Sequence, residues 1–420
     1  MELTVARYDT DDTPAERGVP RPTPEGAALP TGFPFLLDEE TGAVIEPVLV
    51  HLATKFYGGA GRRGPWRYKE SADAAAGDLK DWWTFLARAG AKWDNVSENL
   101  LARYLTGLLS TVSEATENFL SGPTFSRRCS SIDAIHAFAA TKWPKGRYPR
   151  MDSSKLLAGV GSKPSLAEED QKVHPISRTN VNRIAAYLGP LPSKRTSGSY
   201  SRSRLAFELG LNVGLRVDEI CNLPAALFEK MTPEGEDWDA IQLKVTKTKG
   251  LVARTVFVPN WLVRETKLYI EGERADAEAA ARKLWLTGDA PFNLLLNQAN
   301  ARENPGKPSK PPTIDKAFSK AVTDLKIVQE RTLASGSPQQ KKVLAPAHTF
   351  HDTRHTFAYW TYLGLRKDEE EPWLYIQKRL GHKNLETTIG TYLSVFNEVA
   401  TDTLAKVHRY FQQAREERNS

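Results

Sequence analysis

Thirteen residues, HTFHDTRHTFAYW from His348 to Trp360, hold three histidines and an arginine. His348, His351 and His355 recur at intervals of three and four, which on a helix aligns them along one face, as a metal would require. No HExxH and no acid or cysteine cluster accompanies them, and Pro346 puts His348 ahead of the helix rather than on it, so no metal site is expected. His351 and Arg354 share a face where that helix starts, and unpaired backbone N–H groups there favour an anion. The chemistry this combination suits is a grip on phosphate. Three further stretches carry reactive types: Arg216 in GLNVGLRVDE, the lysines of a Lys-Thr-Lys-Gly turn, and RLGHKNLETTIGTYLSV, where His382 follows a Leu-Gly helix stop and Tyr392 lies ten residues on. Taken singly, Arg216 would be a salt-bridged helix-end residue and Tyr392 a core aromatic beside Leu393 and Phe396.

The elements that must hold these residues follow from periodicity. SADAAAGDLKDWWTFLARAG starts on a serine cap, spaces Leu79, Trp82, Trp83, Phe85 and Leu86 as one helical face, and stops at Gly90. NLLARYLTGLLSTV and FSRRCSSIDAIHAFAATKW read as further helices, giving an all-helical module over residues 66–145. HPISRTNVNRIAAYLG and SRLAFELGLNVGLRVDEICNLP are helical again. DAIQLKVTKTKGLVARTVFVP switches to period two, with Ile241, Leu243 and Val245 on one arm and Val252, Val256 and Val258 on the other, which predicts a β-hairpin. Two Pro- and Gly-rich interruptions, RENPGKPSKPPT and LASGSPQQKKVLAP, flank a short helix from Ile314 to Leu325, and helices close the chain. Residues 13–34 are rich in Pro and Gly, so residues 1–65 are expected to form an irregular arm.

At 420 residues the chain exceeds the size of a single core, so two domains are expected. Hydrophobic content of 40% with 26% charge fits a globular protein with no membrane span, and the polar start is no signal peptide. Only Cys129 and Cys221 are present, which argues against a disulfide framework and for a reducing cytoplasm. Charge is unevenly placed: Thr141 to Arg204 holds thirteen Lys/Arg against four acids, an excess of nine in a chain of net charge +6. A basic connector over residues 146–175 that touches a polyanion is one reading, and a solvated basic linker is the other.

The motifs, in their order, resemble those of the tyrosine recombinases, the phage-integrase family, over residues 66–410. The resemblance rests on GLRVDE, the hairpin lysine, HDTRHTFA, and LGHKNLETT followed by TYL. It implies an active site of Arg216, Lys249, His351, Arg354 and His382, with Tyr392 as nucleophile and Glu219 holding the framework. Lys249 is preferred because it stands five residues before Arg254, with Lys247 the alternative. A tyrosine of pKa near 10 is only about one part in a thousand phenolate at neutral pH, a handicap of roughly 4 kcal/mol. Two guanidiniums answer that need, offering forked donors to the non-bridging oxygens of a phosphodiester as charge builds. Lys249 would protonate the leaving 5′-oxygen, and the two histidines would donate to phosphate or shuttle the proton.

The resulting expectation is a mainly α fold with a small antiparallel β-sheet, built as a two-domain DNA clamp. Its parts are the arm over 1–65, a core-binding domain over 66–145, the linker over 146–175, a catalytic domain over 176–396, and a C-terminal helix over 397–420 that docks in cis or on a neighbouring copy. Lys142, Lys145, Arg147, Arg150, Lys194, Arg195, Arg202 and Arg204 are the candidate DNA contacts. The partners implied are double-stranded DNA carrying recombination sites, three further copies in a tetramer, and accessory DNA-bending proteins, in the cytoplasm on the nucleoid. No cofactor is expected; GVGSKPS at residues 159–165 lacks the Gly-Lys-Ser/Thr order of a nucleotide loop. A type IB topoisomerase and a DNA-binding accessory protein without catalysis are the competing readings.

Overall fold

The computed structural model describes residues 2–8, 29–57, 69–110, 112–113, 118–120, 122–143, 151–153, 155–156, 173–246, 253–302, 304–333, 341–365 and 372–381. They belong to two compact units, Met1–Ala167 with Leu333–Lys341, and Glu168–Thr332 with Lys342–Ser420.

In the first unit the alternating stretch Leu3–Arg7 (β1) pairs antiparallel with Pro34–Asp38 (β2), Leu3 opposite Asp38. Glu46–Leu52 (α1) has Pro47 in its first turn and runs on into a π turn, Ala53–Tyr57. Lys69–Arg88 (α2) and Glu98–Ser110 (α3) follow, then a two-residue ladder of Val112–Ser113 (β3) with Asn118–Phe119 (β4), then Gly122–Lys142 (α4). The three-and-four spacing of Leu79, Trp82, Trp83 and Leu86 turns one face of α2 inward, and all four are buried. Trp82 meets Tyr104 of α3 edge-on at 4.9 Å between centroids. Asp78, on the same helix, is buried but paired: Arg127 Nη1 donates to it at 2.6 Å and Ser131 Oγ at 2.9 Å, both from α4.

In the second unit Ser177 caps Arg178–Tyr187 (α5), its hydroxyl accepting from the Asn180 N–H at 3.3 Å. Arg202–Val213 (α6) is buried along most of its length, with Leu205, Ala206, Phe207 and Leu209 fully buried and Arg204, Glu208 and Asn212 forming one polar row. Two short helices, Val217–Cys221 (α7) and Ala225–Glu229 (α8), lead to the hairpin of Ala240–Val245 (β5) and Arg254–Pro259 (β6). Its register sets Leu243 opposite Val256 and Val245 opposite Arg254. Asn260–Tyr269 (α9) continues through a π turn, Ile270–Arg274, into Ala275–Leu284 (α10), and Pro311–Asp324 (α11) comes next. Val328–Leu333 (β7) pairs with Lys341–Pro346 (β8), and His351–Leu365 (α12) and Pro372–Leu380 (α13) close the described chain. α6 packs against α9, α11, α12 and β6, so the centre of the unit is a helix. Phe207, Phe318 and Phe350 join α6 to α11 and to the start of α12, with ring centroids 6.2 and 5.7 Å apart.

The described parts of residues 1–65 are not an irregular arm. Leu3, Phe33, Leu36, Leu49 and Leu52 enter the same core as Leu79 and Trp82, and Arg7 pairs with Asp73 of α2. The Pro- and Gly-rich run that suggested irregularity separates β1 from β2, and the apolar residues flanking it supply the burial. The linker expected over 146–175 is docked where it is described. Met151 sits in the core of the first unit, Ser153 donates its N–H to Asp133 at 3.1 Å, and Val173 joins Ala358, Ile376 and Leu380 in the second. The helical stretch expected across Ser203–Pro224 is broken at Gly214, and LASGSPQQKKVLAP contributes strand β8 instead of pure loop. Among the described residues the sheets are four separate two-stranded ladders rather than one. The C-terminal helix expected over 397–420 lies outside the described residues. No described helix is long and apolar enough to cross a membrane.

Candidate active site

Glycine decides how the first arginine is presented. Gly214 ends α6 at φ +72°, in the left-handed region, and a Cβ there would come 2.5 Å from Phe357 of α12, so only glycine fits the turn. The chain then reverses through Leu215 into Arg216, which stands at the N-cap of α7. Glu219, three residues on, reaches back to accept the Arg216 backbone N–H at 2.9 Å and Arg216 Nη1 at 3.2 Å. This is half of a capping box; an arginine side chain is donor-only and supplies no reciprocal acceptor.

Glu219 is buried, and Arg254 from the first position of β6 covers it with a fork: Nη2 donates to Oε2 at 2.6 Å and Nη1 to Oε1. Burial works to raise the Glu219 pKa, but the hydrogen bonds and charge of Arg254, the Arg216 N–H and the charge of Arg354 together hold it below the ordinary carboxylate range. The carboxylate is therefore ionised at neutral pH and serves as a fixed negative anchor. Arg254 Nε also donates to the Arg379 carbonyl at 3.0 Å.

Arg354 lies on the first turn of α12. Its side chain spans to two other motifs, Nη1 donating to the Gly214 carbonyl at 2.5 Å and Nη2 to the Leu380 carbonyl at the end of α13. Both acceptors are helix-end carbonyls that lack intrahelical partners, so the guanidinium satisfies them while being held at 2% exposure. The Arg216 side chain keeps 24% of its surface, against 6% for Arg254, and is thus the more accessible of these guanidiniums. At Gly381, φ is +65° and a Cβ would lie 2.7 Å from Arg254 Cδ, which accounts for the glycine of the LGH motif.

His351 opens α12 beside an open cleft of about 360 Å³ that Arg216, Thr349, Asp315 and Ser319 also line. Its ring stands edge-on to His355 with centroids 4.7 Å apart. Desolvation by the groups packed on one side, then the charges of Arg354 and Arg216, push its pKa below the usual 6.5, while its other side is open to solvent. The imidazole is thus neutral at pH 7 and able to accept a proton. Asp352 caps the helix start by accepting the Thr349 N–H at 2.8 Å, and His348 Nδ1 lies 3.7 Å from the same carboxylate, ahead of the helix. Across the cleft, burial and then the charge of Asp218 push the Asp315 carboxyl up. Among the described residues no group of three or more His, Cys, Asp or Glu could hold a metal.

The fold thus joins Arg216, Glu219, His351 and Arg354, from motifs separated by as many as 140 positions. Lys249, its alternative Lys247, His382 and Tyr392 lie outside the described residues, as do Lys145, Arg147 and Arg150. Lys142, at the end of α4, and Lys194 are exposed. Three of the candidate DNA contacts already have protein partners, Arg202 in the interior, Arg204 half-buried and Arg195 at the surface. Arg202 is buried and directs Nη1 to the Leu296 carbonyl at 3.4 Å; Arg204 pairs with Glu208 at 2.7 Å and the Ala185 carbonyl at 2.8 Å; Arg195 pairs with Asp276 at 2.6 Å. Charge counted along a sequence does not distinguish a cation facing solvent from one satisfying buried carbonyls. Arg254 was not among the expected site residues, although it is the landmark by which Lys249 is preferred and stands in a strand register otherwise filled by apolar residues.

The model of the phage integrase family matches residues 176–398. None of the curated proteins matches the sequence. Among solved structures, the XerH site-specific recombinase bound to a palindromic difH substrate is 14% identical, over 81% of this chain and 80% of that one, with a TM-score of 0.52. The Tn1549 transposon integrase with circular-intermediate DNA is 16% identical over 82% and 94% at a TM-score of 0.48, and lambda integrase on a COC′ core site 14% over 79% and 90% at 0.44. The likeness to XerH shows a shared fold.

Proposed function

The chain belongs to the phage integrase family, and from that premise we propose that it is a site-specific tyrosine recombinase. It cuts and rejoins duplex DNA through a 3′-phosphotyrosyl intermediate, in the integration or excision of a mobile element. The observation that carries this reading is the buried carboxylate of Glu219, clamped by Arg254 and holding Arg216, with Arg354 threaded between Gly214 and Leu380 beside it. Fixed guanidiniums beside a neutral histidine and an open cleft suit a phosphodiester whose charge grows during reaction.

In the step proposed, the Tyr392 oxygen attacks phosphorus as its proton passes to a neutral imidazole, His351 or His382. The bond from phosphorus to the 5′-oxygen breaks, and Lys249 gives that oxygen a proton. Arg216 and Arg354 face the non-bridging oxygens throughout. Reversal by a different 5′-hydroxyl rejoins the strand, so the bond energy is conserved in the protein–DNA ester and no nucleotide is consumed. Four copies on paired DNA sites, with the C-terminal residues of each docking on a neighbour, would make exchange reciprocal, and DNA-bending proteins would assist it. Lys142 and Lys194 remain candidate phosphate contacts, and affinity should fall steeply with salt.

Incubation with DNA carrying the boundary sequences of the element next to the gene tests the reading. Covalent adduct together with recombinant joints is the expected result. Adduct with relaxation and no joints would make the protein a topoisomerase, and binding without adduct would make it an accessory factor.

A further inference from the structure

Arg254 touches more of the site than any role given to it so far explains. Its Nη1 and Nη2 grip the two oxygens of Glu219, and its Nε donates to the Arg379 carbonyl. One planar group therefore connects three elements. The first is the start of α7, where Arg216 stands. The second is β6 itself, the return strand of the hairpin whose turn bears Lys247 and Lys249. The third is the last turn of α13, from which the chain passes through Gly381 to His382.

A second tie joins the same two elements independently: the Arg379 guanidinium lies 3.4 Å from the centre of the Phe257 ring of β6 and 4.6 Å from that of Tyr375. A third is steric, since the stem of Arg254 occupies the space a side chain at Gly381 would need. Lysine could not reproduce this arrangement, because an ammonium is a point charge without the fork that meets both carboxylate oxygens and a carbonyl at once.

We propose that Arg254 is a positioning residue for DNA cleavage: by locking Glu219 it fixes the Arg216 side chain against the scissile phosphate, and by holding the Arg379 carbonyl it fixes where the His382 segment begins. This rests on the recombinase reading above. Arg254 itself touches no DNA and need not contribute to affinity. A misplacement of about 1 Å in a phosphate-binding group is enough to cost on the order of 100-fold in rate.

The charged and titratable groups facing Glu219 are Arg216, Arg254, Arg354 and His351, with Lys244 nearby on β5. Without Arg254, burial is left to raise the Glu219 pKa against fewer opposing charges. Protonation of Glu219 then releases Arg216, so an Arg254→Gln protein should acquire a new acid limb in its rate profile beyond the loss that protonation of the histidine base gives the wild type.

The test uses the full chain and a nicked suicide substrate that traps the covalent product. Single-turnover cleavage and DNA affinity are measured across pH 5.5 to 8.5 for the wild type, Arg254→Lys, Arg254→Gln, and Arg254→Gln combined with Glu219→Gln. The expected result is a roughly 10- to 100-fold slower cleavage by Arg254→Gln with affinity nearly unchanged. Its new acid limb should disappear in the double variant. Arg254→Lys keeps the charge but not the fork, so it should also cleave slowly at unchanged affinity, and it carries the test if the glutamine variant does not fold. Cleavage at the wild-type rate by either single variant would overturn the proposal. So would a rate that falls only in step with affinity and folded fraction, which would leave Arg254 a purely structural role. A wild type that forms no adduct overturns the recombinase reading itself, and the positioning role with it.

Discussion

Each unit has an apolar core, and the two differ in the polar groups they bury beside it. The core of the first gathers Trp82, Trp83, Phe85 and Tyr104 around an apolar centre with Asp78 as a paired buried charge at its edge. The second unit buries Glu219, Arg254 and Arg354 together and satisfies them with one another and with helix-end carbonyls. An apolar core is stable because it excludes water, and it tolerates apolar replacements that conserve its volume. A buried ionic network gives little net stability, but its geometry is specific, and removing one member strands the others. The contrast teaches that the second arrangement fixes donor geometry, and on the recombinase reading those donors are held for an anion.

The sharpest break of that contrast is Arg354→Ala. It leaves the Gly214 and Leu380 carbonyls and Glu219 without a donor or charge they now have, and on the proposed reading it also removes a phosphate ligand. Adduct formation should fall by about 10³-fold or more, with a loss of several kcal/mol in stability; retention of more than a tenth of the cleavage rate in single-turnover assays would contradict it. Trp82→Ala in the first unit should cost about 3–5 kcal/mol in denaturant unfolding. Under conditions where the variant is still folded and saturated with DNA, its cleavage rate should match the wild type, and a rate defect there would erase the distinction between the units.

The smallest effect expected is in acid. His51, buried against Phe138, has a pKa lowered to about 4 by burial and then by Lys55. Between pH 6.5 and about 4 the unfolded chain binds the proton the folded one refuses, so stability drops as pH falls through that window and is fully present above it. The whole contribution is at most about 3 kcal/mol. Asp78, whose pKa burial raises, works in the opposite sense, but it does so equally in a His51→Gln variant. Melts at pH 7.5 and pH 5 should therefore show a smaller acid loss in the variant than in the wild type, and equal losses would refute the assignment. Against the pull of burial, Glu219 is held below the ordinary carboxylate range by Arg254, the Arg216 N–H and Arg354, and it is ionised at neutral pH.

Long amphipathic helices and the β5–β6 hairpin were legible in the sequence because their periods are unambiguous: the Trp82 face of α2 and the Leu243 and Val256 alternation needed nothing beyond spacing. Elements whose burial depends on distant partners were not. LTVAR is too short to announce β1, and its burial comes from α2, some seventy residues away. The Pro and Gly residues of LASGSPQQKKVLAP made it read as loop, and they hid the strand β8 at its end. The site was legible as a set of residue types in order, and Arg216, Glu219, His351 and Arg354 come together in one unit. Arg202 and Arg204 show the limit of that approach, for their carbonyl partners are far away in sequence, and so does Arg254, whose importance lies in what it touches.

The account stands on a tyrosyl–DNA ester formed at one place. Trapping the adduct on a suicide substrate, digesting the protein and sequencing the nucleotide-bearing peptide by mass spectrometry locates the bond directly. The account predicts a nucleotide on Tyr392 and no adduct from Tyr392→Phe protein. A modified residue elsewhere, Tyr375 for example, or an adduct that survives the phenylalanine substitution, would contradict it.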